Sequence, residues 1–232
     1  MIWTEELSVP TYLSNRYNKL SINGLARLFQ EVAEHHTSRT AIGYKDLQQE
    51  KKAWVLNQMY YEFYRMPEVA ETIQLQTWSR GCNGLYALRD YAMIGPDGEK
   101  LAAATSRWVV IDFEKRHVCR IDHLMDHYEH HEQQSVEHEF PRLRTTAEMN
   151  TVDRLVVRES SIDRVHHVNN AEYIKWIIDY EGASFNPSQL EICYHQEIHV
   201  DAPVEIQLGV DQEFRYYQIS SSNTLAAVVC VK

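Results

Sequence analysis

The sequence predicts an α+β protein made of two half-size units, each a long helix packed on an antiparallel sheet. An early segment of helical period is followed by strand-like segments, and the second half repeats that order, helix first and strands after. A local echo supports the duplication: Pro67 precedes Thr72-Ile73-Gln74-Leu75, and Pro203 precedes Glu205-Ile206-Gln207-Leu208. A chain of 232 residues that is 44% hydrophobic can fill both cores without disulfides or metals.

From Ser21 to His36, Ile22, Leu25, Leu28, Phe29 and Val32 recur at three- and four-residue spacing, the period of one buried helical face. The aromatic and β-branched run Trp54–Tyr64 then favours a strand. Glu71 to Trp78 alternates as a half-buried strand, and the segments Leu85–Ile94 and Lys100–Phe113 flank the turn Gly95-Pro96-Asp97-Gly98. These strands are expected to form a meander. Residues 122–153 are polar and His- and Glu-rich, and they read as a connector, partly helical before Pro141. The expected division is therefore an N-terminal unit over 1–121, the connector, and a C-terminal unit over 154–232. In the last, a helix starts near Asn170 and strands follow at about 190–199, 203–211, 213–220 and 224–232.

The net charge of −10 argues against a nucleic-acid partner, which asks for a basic face. No stretch approaches the apolar length of a membrane span, and the acidic N-terminal residues carry no leader signature, so a cytoplasmic protein is expected. The four cysteines are far apart without a C-x-x-C pair, so neither a disulfide framework nor structural zinc is expected. His123, His127, His130, His131 and His138 include pairs at helical spacing, but interleaved acids make a solvated connector the simpler reading, and no metal or organic cofactor is expected.

The most informative stretch runs from Ser160 to Asn170. Asn169 and Glu172 have the spacing of a capping box, and Val168 and Tyr173 that of a hydrophobic staple. Both put Asp163 and His167 on the loop entering a helix, whose N-terminal N–H groups suit negative charge developing on a carbonyl oxygen. Asp163 and His167 could supply a base and its proton-transferring partner; the same spacing also fits a turn-closing aspartate with a packed histidine.

The segments Asn15-Arg16-Tyr17, Leu28 to His36, Ala104 to Val109 and His167 to Trp176 occur in an order that resembles the plant and bacterial acyl-ACP thioesterases. The resemblance covers about 200 residues. It implies a tandem double hotdog fold, with an acyl-chain pocket in the N-terminal half and catalytic residues in the C-terminal half. It implies hydrolysis of fatty acyl-acyl carrier protein (ACP) to free fatty acid, in fatty acid biosynthesis and lipid metabolism. The family pattern Asp-x-Asn-x-His, with a Glu on a following strand, falls on Asp163, His167 and Glu197. Val165 stands where the family has Asn, and His166 is its neighbour. Val165, His166, Asn169 and Asn170 make up the expected substrate or oxyanion region. A covalent cysteine route is not expected, since Cys193 lies four residues before Glu197 and Ile198 follows it.

An acidic carrier asks for a basic patch, and residues 142–158 hold Arg142, Arg144, Arg154 and Arg158 against Glu148 and Asp153. Trp54, Tyr60, Phe63, Trp78 and Trp108 read as core, with some expected to line the acyl pocket. An internal pseudo-dimer is expected as a monomer or a homodimer. Two other classes stay open: an acyl-CoA thioesterase, and a non-catalytic acyl-binding or regulatory module in which Val165 has removed the amide.

Overall fold

In the computed structural model, which describes residues 1–125, 129–182 and 185–232, the early segment of helical period forms helix α1, Ile22–Thr37. Ser21 caps it, its Oγ accepting from Gly24 N–H (3.1 Å) and donating to Leu13 O (2.7 Å). Leu25, Phe29 and Val32 are buried, and the Phe29 ring stacks on Tyr91 (5.0 Å) and Tyr61 (6.5 Å) of the sheet beneath. Gly24 has no room for a side chain: a Cβ there would sit 2.6 Å from Leu13 O.

Around α1 lie β1 (Trp3–Ser8), α2 (Tyr44–Gln49), β2 (Lys52–Phe63), β3 (Thr72–Asn83), β4 (Tyr86–Ile94), β5 (Lys100–Asp112) and β6 (His117–Cys119). The sheet order is β1-β3-β4-β5-β2, all antiparallel, with β6 also on β5. The expected meander therefore holds for β3, β4 and β5, while β2 pairs with β5 and brings Tyr61 opposite Ala104. The small residues Ala102, Ala103 and Ala104 leave room for the aromatics of β2 beside them.

The chain divides into two units, Met1–Glu139 and Phe140–Lys232. The second has β7 (Asn150–Val156), α4 (Asn170–Glu181), β8 (Gln189–Tyr194), β9 (Pro203–Asp211), β10 (Phe214–Ser221) and β11 (Thr224–Val231). Its order, β7-β9-β10-β11-β8, is that of the first unit strand for strand. Ile174 and Ile177 of α4 are fully buried, as are Leu190, Ile192, Ile206, Ile219 and Val229 of the sheet.

The connector expected over 122–153 is not one element. Its start is the short helix α3 (Asp122–Met125), and its end is the first part of β7. Residues 129–138 are tied to the first unit: Trp78 Nε1 donates to Gln133 O (2.8 Å), Lys100 Nζ to Ser135 O (2.9 Å), and Ser135 N–H to the buried Asp90 carboxylate (2.7 Å). The His138 ring stacks on Tyr60 at 4.0 Å. Trp78 and Asp90 are in register on the sheet face opposite Thr77 and Tyr91, so this strap covers the side away from α1. Its polar composition conceals the anchoring, because most of the bonds end on backbone atoms. Tyr60 and Trp78 are buried as expected of core residues.

His36, near the end of α1, gives the first unit a pH dependence. Burial, and then the Arg89 guanidinium, push its imidazole down from 6.5 to about 4. Arg89 Nη1 lies 3.1 Å from His36 Nδ1, and Trp3 stacks on the ring at 5.8 Å. The unfolded chain binds this proton near pH 6.5 and the folded chain only near pH 4, so stability falls as pH is lowered through that window. The ring is partly exposed, which limits the expected loss to about 1–2 kcal/mol. Urea unfolding at pH 7 and pH 5 is expected to show this loss, and His36→Gln to lack it.

Candidate active site

Between β7 and α4 the chain makes a 3-10 turn at Glu159–Ser161 and then a tight loop. Ile162 bridges Val168, Asp163 N–H donates to His167 O (2.9 Å), and His166 N–H donates to Asp163 O (3.0 Å). His166 turns the chain with φ 66°, a left-handed conformation to which His adapts better than most residues. Asp163 Oδ1 accepts from Val165 N–H (2.9 Å), forming an Asx turn. The turn-closing reading of Asp163 is therefore correct, and it leaves Oδ2, which has no hydrogen-bond partner among the described residues.

Asn169 caps α4 as expected, accepting from Ala171 N–H through its side chain (2.9 Å) and from Glu172 N–H through its carbonyl (2.9 Å). Asn169 N–H donates to Ser161 O (2.9 Å), and the buried Glu172 carboxylate accepts from Ser161 Oγ (3.0 Å). The reciprocal half of the expected capping box is therefore not made, because Ser161 takes both the Asn169 N–H and the Glu172 carboxylate. Among the described residues, Asn170 N–H is the donor at the helix start that meets no acceptor. The expectation of several open amides narrows to this one.

The strand expected over 190–199 ends at Tyr194, so Glu197 is on a loop and not a strand face. Both His195 and Gln196 N–H groups turn onto Ala226 O (2.8 and 3.2 Å), which breaks the alternation. Two residues later, Val168 N–H donates to Ile198 O (2.9 Å), stitching this loop to the one carrying His167. That contact brings Glu197 Oε2 to 3.0 Å from His167 Nε2, with the histidine side chain 26% and the glutamate 52% exposed. His199 stands edge-on to His167 at 4.9 Å.

Tyr173, one turn into α4, is buried, and its phenol is pushed up first by burial and then by the charges of Glu197 and Asp163. Both carboxylates therefore act on one buried hydroxyl. The Tyr194 ring meets Tyr173 edge-on (5.3 Å), and its Oη donates to Asn170 O (2.9 Å). The staple pattern marks Tyr173 as an apolar anchor and carries no sign of its hydroxyl.

The first unit contains the same loop. Ser14 bridges Leu20, Asn15 N–H donates to Lys19 O (2.8 Å), Asn18 N–H donates to Asn15 O (3.1 Å) with φ 60°, and Asn15 Oδ1 accepts from Tyr17 N–H (3.0 Å). Leu20 N–H donates to Pro67 O (2.9 Å), as Val168 does to Ile198, and Tyr64 and Arg65 share Leu101 O as His195 and Gln196 share Ala226 O. The counterparts are therefore Asn15 and Asp163, Lys19 and His167, Met66 and Glu197, Glu68 and His199, Leu25 and Tyr173, Phe63 and Tyr194. Pro67 pairs with Ile198 in this correspondence, so the sequence echo of Pro67 with Pro203 is out of structural step.

Val165 is 38% exposed and serves the turn by its N–H, which any residue but proline supplies; His166 is also exposed. Cys193 is buried in β8. Of the four arginines, all exposed, Arg154 is paired with Glu205 (2.7 Å), while Arg142 acts on His195, whose imidazole is lowered by burial and then by that charge. His127 and the side chain of His123 lie outside the described residues. Among the described residues no group of three or more His, Cys, Asp or Glu is placed to hold a metal ion, and no helix is long and apolar enough to cross a membrane.

Residues 1–128 match the acyl-ACP thioesterase N-terminal domain, and residues 144–226 the C-terminal domain. Oleoyl-acyl carrier protein thioesterase 2 of Arabidopsis thaliana is 26% identical over 76% of the chain and 53% of its own length. The chain spans about half the length of the curated relatives it matches. An acyl-ACP thioesterase from Bacteroides thetaiotaomicron superposes with a TM-score of 0.89 at 23% identity, covering 99% of this chain and 96% of that one. The 12:0-ACP thioesterase of Umbellularia californica superposes at 0.85 with 17% identity, covering 100% and 96%. The duplicated α+β architecture is the tandem double hotdog, and the chain belongs to the acyl-ACP thioesterase family.

Proposed function

We propose that the protein hydrolyses the thioester of a fatty acyl-ACP, releasing free fatty acid and the ACP thiol. The observation that carries the reading is the His167–Glu197 pair at 3.0 Å, held beside Asp163 at an open helix start within this family's scaffold. Glu197 takes a proton from water as its oxygen attacks the acyl carbon, with Asp163 Oδ2 orienting that water. Asn170 N–H and the positive end of α4 stabilise the oxyanion. The C–S bond breaks as the carbonyl re-forms, and the proton passes from Glu197 through His167 to the departing sulfur. No cofactor enters this balance. Because Val165 supports the turn through its backbone, its side chain does not unmake the loop.

The carrier's acidic surface is assigned to the stretch holding Arg142, Arg144 and Arg158, with Arg154 weakened by its Glu205 partner. The acyl chain is assigned to the first unit. Val165 in the amide position favours the second reading, an acyl-binding protein without turnover. Thiol release from medium- and long-chain acyl-ACPs, with acyl-CoAs alongside, separates these. Turnover of acyl-ACP in preference to acyl-CoA is the expected result. Preference for acyl-CoA moves the assignment to that substrate, and acyl-ACP binding without thiol release establishes the non-catalytic reading.

A further inference from the structure

The two units are an internal control for the site. Their loops share one backbone hydrogen-bond pattern, yet Phe63 stands in the first where Tyr194 stands in the second, and Leu25 where Tyr173 stands. The first unit forms its cap, loop and strand end without either hydroxyl. The phenol oxygens are therefore additions to a scaffold that does not need them, on the one copy that brings His167 and Glu197 together.

Tyr194 is placed to act on that site through the backbone of α4. It is the last residue of β8, three before Glu197. Its Oη donates to the carbonyl of Asn170, whose own N–H is the open donor at the helix start (Oη to O 2.9 Å). Its ring stands at 89° against Tyr173, which restricts the direction in which the hydroxyl points. One side chain thus ties the oxyanion donor to the segment that carries the base.

We propose that Tyr194 is a positioning residue for the hydrolysis, its hydroxyl setting the separation between Asn170 N–H and the His167–Glu197 pair. The proposal rests on the hydrolase reading above. A donor and a base displaced by a fraction of an ångström no longer serve the same transition state, while ground-state binding of a long acyl chain is scarcely affected.

The test is Tyr194→Phe, which installs the side chain that the first unit already tolerates at position 63. The expected result is a kcat lowered roughly 10-fold with KM for acyl-ACP changed less than about twofold. Tyr217→Phe is the control: that hydroxyl donates to Glu181 at the far end of α4, so its loss is expected to lower the unfolding midpoint without lowering kcat. An unchanged kcat in Tyr194→Phe, or an equal fall in both variants tracking their unfolding midpoints, overturns the positioning role while leaving the hydrolase reading intact. A folded wild-type protein that turns over no acyl-ACP overturns the hydrolase reading and this role with it.

Discussion

Glu197→Gln is expected to lower kcat for acyl-ACP hydrolysis by ~10²–10⁴-fold, the range for losing a general base. The amide keeps the size of the side chain and can still meet His167 Nε2, 3.0 Å from the present carboxylate, but it cannot take a proton from water. Glu197 is half exposed on a loop whose backbone is held by Val168 and Ala226, so the fold does not depend on its charge. Steady-state thiol release beside a urea unfolding curve checks both halves of the expectation. A kcat within twofold of wild type would take the base role away from Glu197.

Asp163→Asn is the second substitution of large effect, and the molecule supplies its control. Asn15 already closes the equivalent turn in the first unit, accepting from Tyr17 N–H at 3.0 Å as Asp163 accepts from Val165 N–H at 2.9 Å. An amide oxygen therefore suffices for the Asx turn, and stability is expected to change by less than about 0.5 kcal/mol. What is lost is the charge beside Glu197 and Tyr173, and we expect kcat to fall ~10²-fold or more. Asp163→Ala removes the turn acceptor as well and is expected to lose about 1 kcal/mol of stability. If Asp163→Asn keeps wild-type kcat and only Asp163→Ala loses activity, in step with its stability, Asp163 is a turn residue alone.

The parts of the fold that sequence revealed are those set by local chemistry. Asn169 announces the start of α4 because a short polar side chain answers an orphan N–H whatever lies around it, and the apolar period of Ile22 to Val32 announces α1. The strands β4, β5, β9, β10 and β11 follow from alternation and turn residues. What stayed hidden depends on distant partners. The six residues of β1 pair with β3 about seventy positions on, and β7 lies in a stretch too polar to read as a strand. The end of β8 is likewise invisible, since a single polar residue, Gln196, interrupts an alternation that resumes at Ile198, and the strand stops where two N–H groups share Ala226 O.

The site follows the same division. Asp163 and His167 stand out by their place on the loop entering α4, while Glu197 is marked only by the family pattern; the helix-start loop itself is legible in residue chemistry. Ser14 to Ser21 and Ile162 to Asn169 share one identical residue, Arg16 and Arg164, yet they have the same turn chemistry: Asn or Asp to close, Asn or His at positive φ, Ser or Asn to cap. Duplication survives there in residue type, not in identity. Tyr173 and Tyr194 were not legible, because a tyrosine in an apolar pattern gives no sign of where its hydroxyl points.

We infer that the two copies of one loop differ in function through the side chains they carry. The decisive measurement is acyl-ACP hydrolysis by the double variant His167→Lys, Glu197→Met, which puts the first unit's residues at those two positions. The expected result is a protein with the circular dichroism spectrum and unfolding midpoint of wild type and no thiol release above the uncatalysed rate. Hydrolysis retained by that folded variant would contradict it and place the chemistry elsewhere in the chain.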